Sequence, residues 1–147
     1  MDKEARNFSR AIKSAQDELA AVDWYTEANN SPRINISFSS DAGQTFGTPI
    51  QADDGKPIGR VDVVMLTDGS ALVCWLAGTS EKGTIKVRRV YPDSSLGQVG
   101  IVAETDVARS SGFPRRARLG NEVFLAWTQF GKPSRIRMAK ISVESYK

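Results

Sequence analysis

The sequence predicts an all-β protein built from three consecutive copies of one strand-rich unit. Three tryptophans give the period, because Trp24, Trp75 and Trp127 lie 51 and 52 residues apart. A polar two-residue turn precedes each strand that carries a tryptophan. The clearest of these turns is Asp68-Gly69, and Asp-Gly between apolar runs is a strong hairpin signal. Self-similarity at a fixed spacing of about 50 residues indicates a repeat architecture.

Each unit opens with two strands joined by this turn. The first strands are predicted at residues 10–14, 60–66 and 115–119, and the second strands at 19–25, 71–76 and 122–127. The N-terminal residues 1–20 are also compatible with one amphipathic helix. We favour strands there, because the repeat explains all three copies together.

A polar loop and a third strand follow each tryptophan. Ile34, Ile85 and Ile136 come 10, 10 and 9 residues after their tryptophans, so the register repeats as well. These strands alternate apolar and polar residues, as a half-buried strand does. Third strands are predicted at 33–38, 84–90 and 135–141, and fourth strands at 48–51 and 100–103 only.

Four antiparallel strands repeated in tandem are the pattern of β-propeller blades. We therefore predict that residues 1–147 form one partial propeller of about three four-stranded blades. Their predicted extents are about 9–54, about 59–105 and about 113–147, and the last blade is incomplete.

The composition excludes several kinds of site. No histidine is present, which rules out a Ser-His-Asp triad, a Cys-His pair and any zinc site that uses histidine. Cys74 is the one cysteine, so no intramolecular disulfide forms, and its apolar neighbours predict a buried thiol. The carboxylates show no metal-ligand spacing. We predict neither a metal nor a cofactor.

Charge and hydropathy bear on partners and location. The formal net charge is +3, with Lys and Arg dispersed along the chain, so we predict no nucleic-acid partner. No run approaches the roughly 18 apolar residues of a membrane span, and the charged N-terminus lacks the apolar region of a signal peptide. The prediction is a soluble chain whose compartment is unknown.

One turn carries a motif. Residues 39–46 read Ser-Ser-Asp-Ala-Gly-Gln-Thr-Phe and resemble the Asp-box of sialidase-like (neuraminidase, BNR repeat) propellers. The matching positions are Ser39, Asp41, Gly43, Thr45 and Phe46. A short carboxylate can accept bonds from turn amides, and glycine permits a positive φ. We therefore expect a structural role, with the aromatic ring packed under the hairpin. The turn at 91–97 keeps only an Asp and a Gly of this pattern.

The resemblance implies a six-bladed sialidase-type propeller, of which this chain would be half. Members of the family are often exported. Its catalytic members bind a sialic acid carboxylate with three arginines, and use a Tyr activated by a Glu as nucleophile and an Asp as acid. The chain lacks the Phe-Arg-Ile-Pro motif of those enzymes, and Tyr25, Tyr91 and Tyr146 match no nucleophile position. No catalytic residue is assigned, and we expect the chain alone to be inactive.

Three arginines form a candidate ligand site. Arg10, Arg60 and Arg115 each begin a predicted first strand, and Asp62 shares a strand face with Arg60. In a propeller such positions surround the central channel, where guanidinium groups would bind a carboxylate or another anion. The alternative is that these arginines pair with acidic neighbours at the strand entry.

The leading functional hypothesis is a non-catalytic scaffold that binds a glycan, such as an anionic carbohydrate, or a protein partner. An alternative is the C-terminal portion of an exo-α-sialidase (a glycoside hydrolase) whose other catalytic residues lie outside this chain. A structural assembly module is the third class, because fold does not dictate function. Three blades leave open edges. We therefore also expect self-association, with two copies in a head-to-tail ring, or pairing with a missing N-terminal propeller half.

Overall fold

The computed structural model describes residues 5–12, 18–79, 82–105 and 115–147. In these ranges the regular secondary structure consists of β-strands and two short 3₁₀ turns, Ala28–Asn30 and Val143–Tyr146, which confirms the predicted all-β class. The segment Ala5–Ile12 is a strand, so the helical alternative is not adopted there. No helix in the described ranges is long and apolar enough to cross a membrane.

The strands form three antiparallel sheets, in which each strand pairs with its neighbours along the chain. The first sheet contains β1 (Ala5–Ile12), β2 (Ala20–Thr26), β3 (Arg33–Ser39) and β4 (Ile50–Gln51). The second contains β5 (Pro57–Met65), β6 (Ala71–Gly78), β7 (Gly83–Val90) and β8 (Gly100–Thr105). The third contains β9 (Arg115–Leu119), β10 (Glu122–Gln129) and β11 (Arg135–Ser142).

Two first strands begin earlier than predicted. β1 starts at Ala5, and β5 starts at Pro57 and contains a bulge. The ladder of β5 skips from Gly59 to Asp62, because Gly59 and Arg60 both have positive φ, of 104° and 53°. A bulge of this kind leaves a residue unpaired and bends the strand. The alternation of side chains that predicts the strand is interrupted at the bulge. The predicted strand therefore begins at Arg60, although β5 continues through the bulge back to Pro57.

A first hydrophobic core lies between the first and second sheets. Alternate residues of β2 and β3 pack on alternate residues of β5 and β6, as the two-residue strand period requires. Trp75 is the largest side chain that the second sheet contributes, and it is 0% exposed. Its buried partners from the first sheet include Tyr25, Ile34 and Ile36, and Phe38 packs against them at the edge.

A second core lies between the second and third sheets. The opposite face of the second sheet supplies Leu72, Cys74 and Ile85, and the third sheet supplies Leu125 and Trp127. The second sheet is therefore covered on both faces, and the three sheets are stacked in chain order. The buried side chains of β6 form a continuous apolar run for this reason.

Backbone pairing between the second and third strands is equivalent in all three sheets. The residue that follows each tryptophan pairs with Ile34, Ile85 or Ile136. The residue that precedes each tryptophan pairs with Ile36, Val87 or Met138 in the same order. The spacing of isoleucines that predicted a repeating register thus corresponds to the same ladder position in all three sheets.

Candidate functional site

The predicted arginines occupy unequal positions in their strands. Arg10 pairs through its backbone with Val22, whereas Arg115 pairs with Ala126. Arg60 lies in the β5 bulge between the paired residues on either side of it. The side chain of Arg10 is outside the described part of the chain. Convergence of the three guanidinium groups on one ligand therefore stays a prediction.

Asp62, the carboxylate predicted to belong with these arginines, forms an ion pair with Arg116 at 3.0 Å. Its Oδ1 also accepts a hydrogen bond from the backbone N–H of Val63 at 3.0 Å. Burial raises the pKa of Asp62, and the charge of Arg116, the Val63 N–H and the charge of Arg115 oppose that rise. The pair joins the first strand of the second sheet to the first strand of the third.

Arg116 was missed by the sequence reasoning, which considered only the first arginine of the doublet. Successive residues of a strand point to opposite faces, so the two arginines of β9 have different surroundings. Arg116 is half-buried against the second sheet, and Arg115 is exposed. Arg116 therefore holds the ion pair with Asp62, and Arg115 acts on that carboxyl only through its charge. The arginine doublet itself was the available signal.

The 39–46 turn is closed by its own side chains. Ser39 Oγ donates to Asp41 Oδ1 at 2.7 Å and accepts from the N–H of Gly43 at 2.9 Å. Asp41 Oδ1 also accepts from the N–H of Thr45 at 2.8 Å, and the Thr45 hydroxyl donates to Asp41 Oδ2. Gly43 has a φ of 83°, a conformation that costs glycine little.

These bonds determine the electrostatics of the turn. The hydroxyl and N–H of Thr45 and the hydroxyl of Ser39 lower the pKa of Asp41 to about 2, because each stabilises the ionised form. Phe46 lies against Gly43, where an added Cβ would be 3.9 Å from the ring. The ring nevertheless stays 38% exposed, more than expected of a residue packed under the hairpin. The contacts of the carboxylate lie within the turn.

The 91–97 turn is built differently. Asp93 Oδ1 accepts from the N–H of Ser95 at 2.9 Å and from its hydroxyl at 2.6 Å. Tyr91 and Ser95 also close the backbone, through a bond of 3.0 Å from the Tyr91 N–H to the Ser95 carbonyl. The hydroxyl and N–H of Ser95 lower the pKa of Asp93. The carboxylate of Asp93 thus accepts from a residue two positions along the chain, whereas the carboxylate of Asp41 reaches Thr45, four positions along.

A cleft lies at the loop that joins β10 and β11, and the sequence reasoning did not identify it. Its volume is about 230 Å³, and its lining includes Phe130, Lys132, Arg135 and Arg137. Arg135 and Arg137 are two residues apart on β11, so their side chains share one face about 7 Å apart. Arg137 Nε donates to Gln129 Oε1 at 2.7 Å, which orients its guanidinium group.

The three cations of this cleft have no carboxylate partner within the described ranges. By contrast, Lys86, which occupies in β7 the ladder position that Arg137 occupies in β11, pairs with Asp54 at 2.7 Å. The cleft therefore combines three uncompensated positive charges with one aromatic ring. A local count of charge along residues 129–137, which contain three cations and no carboxylate, was the signal that could have found it.

Cys74 is buried in the second core. Burial, followed by the charges of Asp62 and Asp23, raises the pKa of the Cys74 thiol to about 12, so this thiol is structural. In the ranges that the structure covers, no three His, Cys, Asp or Glu side chains come together as a metal site requires.

No model of a known protein family matches the chain, and no curated protein matches it.

Proposed function

We propose that this protein is a propeller segment similar to those of sialidases, and that it is a non-catalytic scaffold which binds an acidic saccharide. Three stacked meander sheets that repeat in register, with a hydrogen-bonded turn at residues 39–46, support the propeller assignment. The cationic cleft at the β10–β11 loop is the observation that supports binding.

The chemistry of the cleft suits a carboxylate-bearing or sulfated sugar. A guanidinium group offers paired N–H donors to a carboxylate or sulfate, and such charge-assisted bonds are short and strong. Arg137 is already oriented by Gln129, which lowers the entropic cost of binding. Phe130 is 38% exposed and supplies an apolar surface for a sugar ring. Small-molecule sites combine an apolar wall with a few polar groups in this way.

The test is calorimetric titration of the chain with sialyllactose, which carries a carboxylate, and with lactose, which does not. We expect sialyllactose to bind with a Kd between about 10 μM and about 1 mM, and lactose to bind at least about tenfold more weakly. Arg135→Ala and Arg137→Ala should each weaken sialyllactose binding by about tenfold or more, because each removes a charge-assisted bond.

Arg33→Ala is the matched control. Arg33 is the first residue of β3 as Arg135 is the first of β11, and it is also exposed. Removing its charge should leave the affinity unchanged. Equal losses in Arg33→Ala and Arg135→Ala would show that net charge alone attracts the ligand. Equal affinity for a short single-stranded DNA or for lactose, or no binding at all, would also overturn the proposal.

One observation favours the alternative, that the chain is part of an exo-α-sialidase. Tyr25 Oη donates to Glu27 Oε1 at 2.6 Å. The catalytic members of the sialidase family, which the chain resembles, use a tyrosine activated by a glutamate. However, Tyr25 is 6% exposed and packs in the first core, where a substrate has little access. A fluorogenic sialoside distinguishes the two functions: turnover that is lost in Tyr25→Phe favours the enzyme, and no turnover favours the scaffold.

A further inference from the structure

We propose that the third sheet binds an extended, acidic peptide segment of another protein as its fourth strand. The binding site is the outer edge of β11 at residues 135–138, which we call the open edge. The first and second sheets each end in a fourth strand, β4 and β8, whereas the third sheet contains only β9, β10 and β11 within the ranges that the structure describes. The backbone N–H and C=O groups at such an edge can pair with an added strand.

Equivalent positions in the other two sheets indicate where an added strand would lie. The residue that pairs with the tryptophan of each sheet is Asn35, Lys86 or Arg137. On its other side, Asn35 pairs with β4 and Lys86 pairs with β8, and the residue that follows each of them does so too. Arg137 and Met138 hold these two positions on the open edge. An added antiparallel strand would therefore take a register that this protein already forms twice.

Both faces of the open edge are accessible to the side chains of an added strand. Arg135 and Arg137 lie on one face, and Ile136 and Met138 lie on the other, because successive residues of a strand alternate. All four are exposed. Ile136 and Met138 are 78 and 68% exposed, whereas the residues at the same ladder positions of β7 are 1 and 0% exposed. Apolar side chains of a guest strand would remove part of this surface from water.

Charge determines the chemistry of the guest strand. Arg135 and Arg137 have no carboxylate partner in the part of the chain that the structure describes, and opposite charges directly across an antiparallel pair stabilise it. The second sheet already has an acidic residue at one such place, because Thr84, at the ladder position of Arg135, pairs with Glu104 of β8. A guest with acidic residues opposite the two arginines and apolar residues opposite their neighbours fits both faces. The guest is therefore an extended segment in which acidic and apolar residues alternate.

This proposal does not rest on the saccharide site, although both ligands contact Arg135 and Arg137. The peptide adds a ladder of backbone hydrogen bonds to β11, and the saccharide does not. Because both ligands present carboxylates to the same guanidinium groups, each should exclude the other. The peptide titrations contain no saccharide, so a failure of sialyllactose to bind and a failure of the peptide to bind are separate results.

Fluorescence anisotropy of a labelled peptide, titrated with the full chain, tests the proposal. The probe is three Glu-Val repeats with blocked ends, and we expect a Kd between about 10 and about 500 μM. Three Lys-Val repeats should bind at least about tenfold more weakly, and so should a peptide in which three Glu precede three Val, because it cannot separate acidic and apolar side chains onto two faces. Equal affinity for the alternating and block peptides would overturn the proposal. No binding would show that the charges only keep other strands away, and would overturn it too.

Backbone pairing is tested with two N-methylated forms of the Glu-Val peptide, one methylated at every Glu and one at every Val. In an added strand, the N–H groups of alternate residues point toward β11 and the others point toward solvent. One form should therefore bind at least about tenfold more weakly than the other, because its methyl groups block the ladder. Equal affinities would show that side chains alone hold the peptide, and would overturn the proposal.

A pair of variants assigns the edge. Arg137→Glu should weaken binding of the Glu-Val peptide by at least about tenfold and strengthen binding of the Lys-Val peptide, because it reverses the charge that the guest meets. Arg33→Glu is the matched control, since Arg33 is also exposed but belongs to β3, which already pairs with β4. It should change neither affinity. Circular dichroism checks the fold of each variant, and the methylated peptides test the unaltered chain.

Equal effects of the two substitutions would contradict the assignment to the open edge. Dimers in sedimentation velocity, with no binding of either peptide, would show that a second copy of the chain takes the open edge. That result would also overturn the proposal.

Discussion

The second and third sheets share the order of their first three strands and the register between the tryptophan-bearing strand and the next one, but the second is covered on both faces and the third on only one. Ile85 and Val87 of β7 are 1 and 0% exposed, whereas Ile136 and Met138, at the same ladder positions of β11, are 78 and 68% exposed. Equal sequence patterns therefore do not produce equal burial. The neighbouring sheet supplies the difference, since an apolar side chain gains free energy only when another surface removes it from water.

The largest expected effect concerns this isoleucine pair. Ile85→Ala should lower the free energy of unfolding by about 2–5 kcal/mol, because it leaves a cavity between the second and third sheets. Ile136→Ala should change it by no more than about 0.5 kcal/mol. Urea unfolding, followed by tryptophan fluorescence at a protein concentration where the chain is monomeric, measures both values. Losses of similar size would mean that the two faces are covered alike.

The next effect compares the reactivity of a cysteine thiol at two equivalent positions, the one before Trp75 and the one before Trp127. Cys74 is 4% exposed, and burial is the main reason that its pKa is raised to about 12. Its reaction with a disulfide reagent at about pH 8 should therefore be at least about a hundredfold slower than that of a cysteine placed at Ala126, in the variant Ala126→Cys with Cys74→Ala. Ala126 is only partly buried, on the face of the third sheet that is turned away from the second.

Absorbance of the released thiolate follows this reaction. Both proteins should react equally fast once they are unfolded in urea, which is the internal control. If native Cys74 reacted as fast as the introduced cysteine, the second core would be open to solvent.

The smallest effect concerns the turns of the first and second sheets. The pKa of Asp41 is lowered to about 2 in the folded chain from an ordinary 3.8, so its stabilising contribution is complete above about pH 4 and is lost as the pH falls through 2. Asp41→Asn should lower Tm by a few degrees near pH 6, and the difference from the wild type should shrink toward pH 2.

Asp93→Asn is the control, because the carboxylate of Asp93 accepts two hydrogen bonds and both come from Ser95. We expect a smaller loss of Tm than in Asp41→Asn. Thermal unfolding by circular dichroism at several pH values measures both. A difference between Asp41→Asn and the wild type that persists unchanged at pH 2 would show that charge on Asp41 does not stabilise the turn.

Most strands could be predicted from the sequence because their signals are local. The alternating residues of β11 and the Asp-Gly turn before β6 act over a few neighbours, and the predicted and observed strands overlap there. The early start of β5 could not be predicted, because the bulge at Gly59 and Arg60 depends on backbone conformations that interrupt the pattern.

The candidate site was less predictable than the strands. The sequence pointed to Asp62 as a partner for arginine, and the structure pairs it with Arg116 of the next sheet. The choice between adjacent arginines depends on which face of β9 meets the second sheet, and that is a property of the stack. The cationic cleft was missed because it forms only when the loop after β10 brings Lys132 near Arg135 and Arg137.

By itself, the sequence determined the all-β class, the three tandem repeats and the register of the tryptophan-bearing strands. Strand alternation and turn chemistry act between near neighbours, so the sequence carries these features locally. Only the tertiary structure decided which faces are buried, which arginine meets Asp62 and where positive charge stays uncompensated. Those outcomes depend on surfaces that are distant in the chain and become neighbours when the sheets stack, so burial and pairing are decided there.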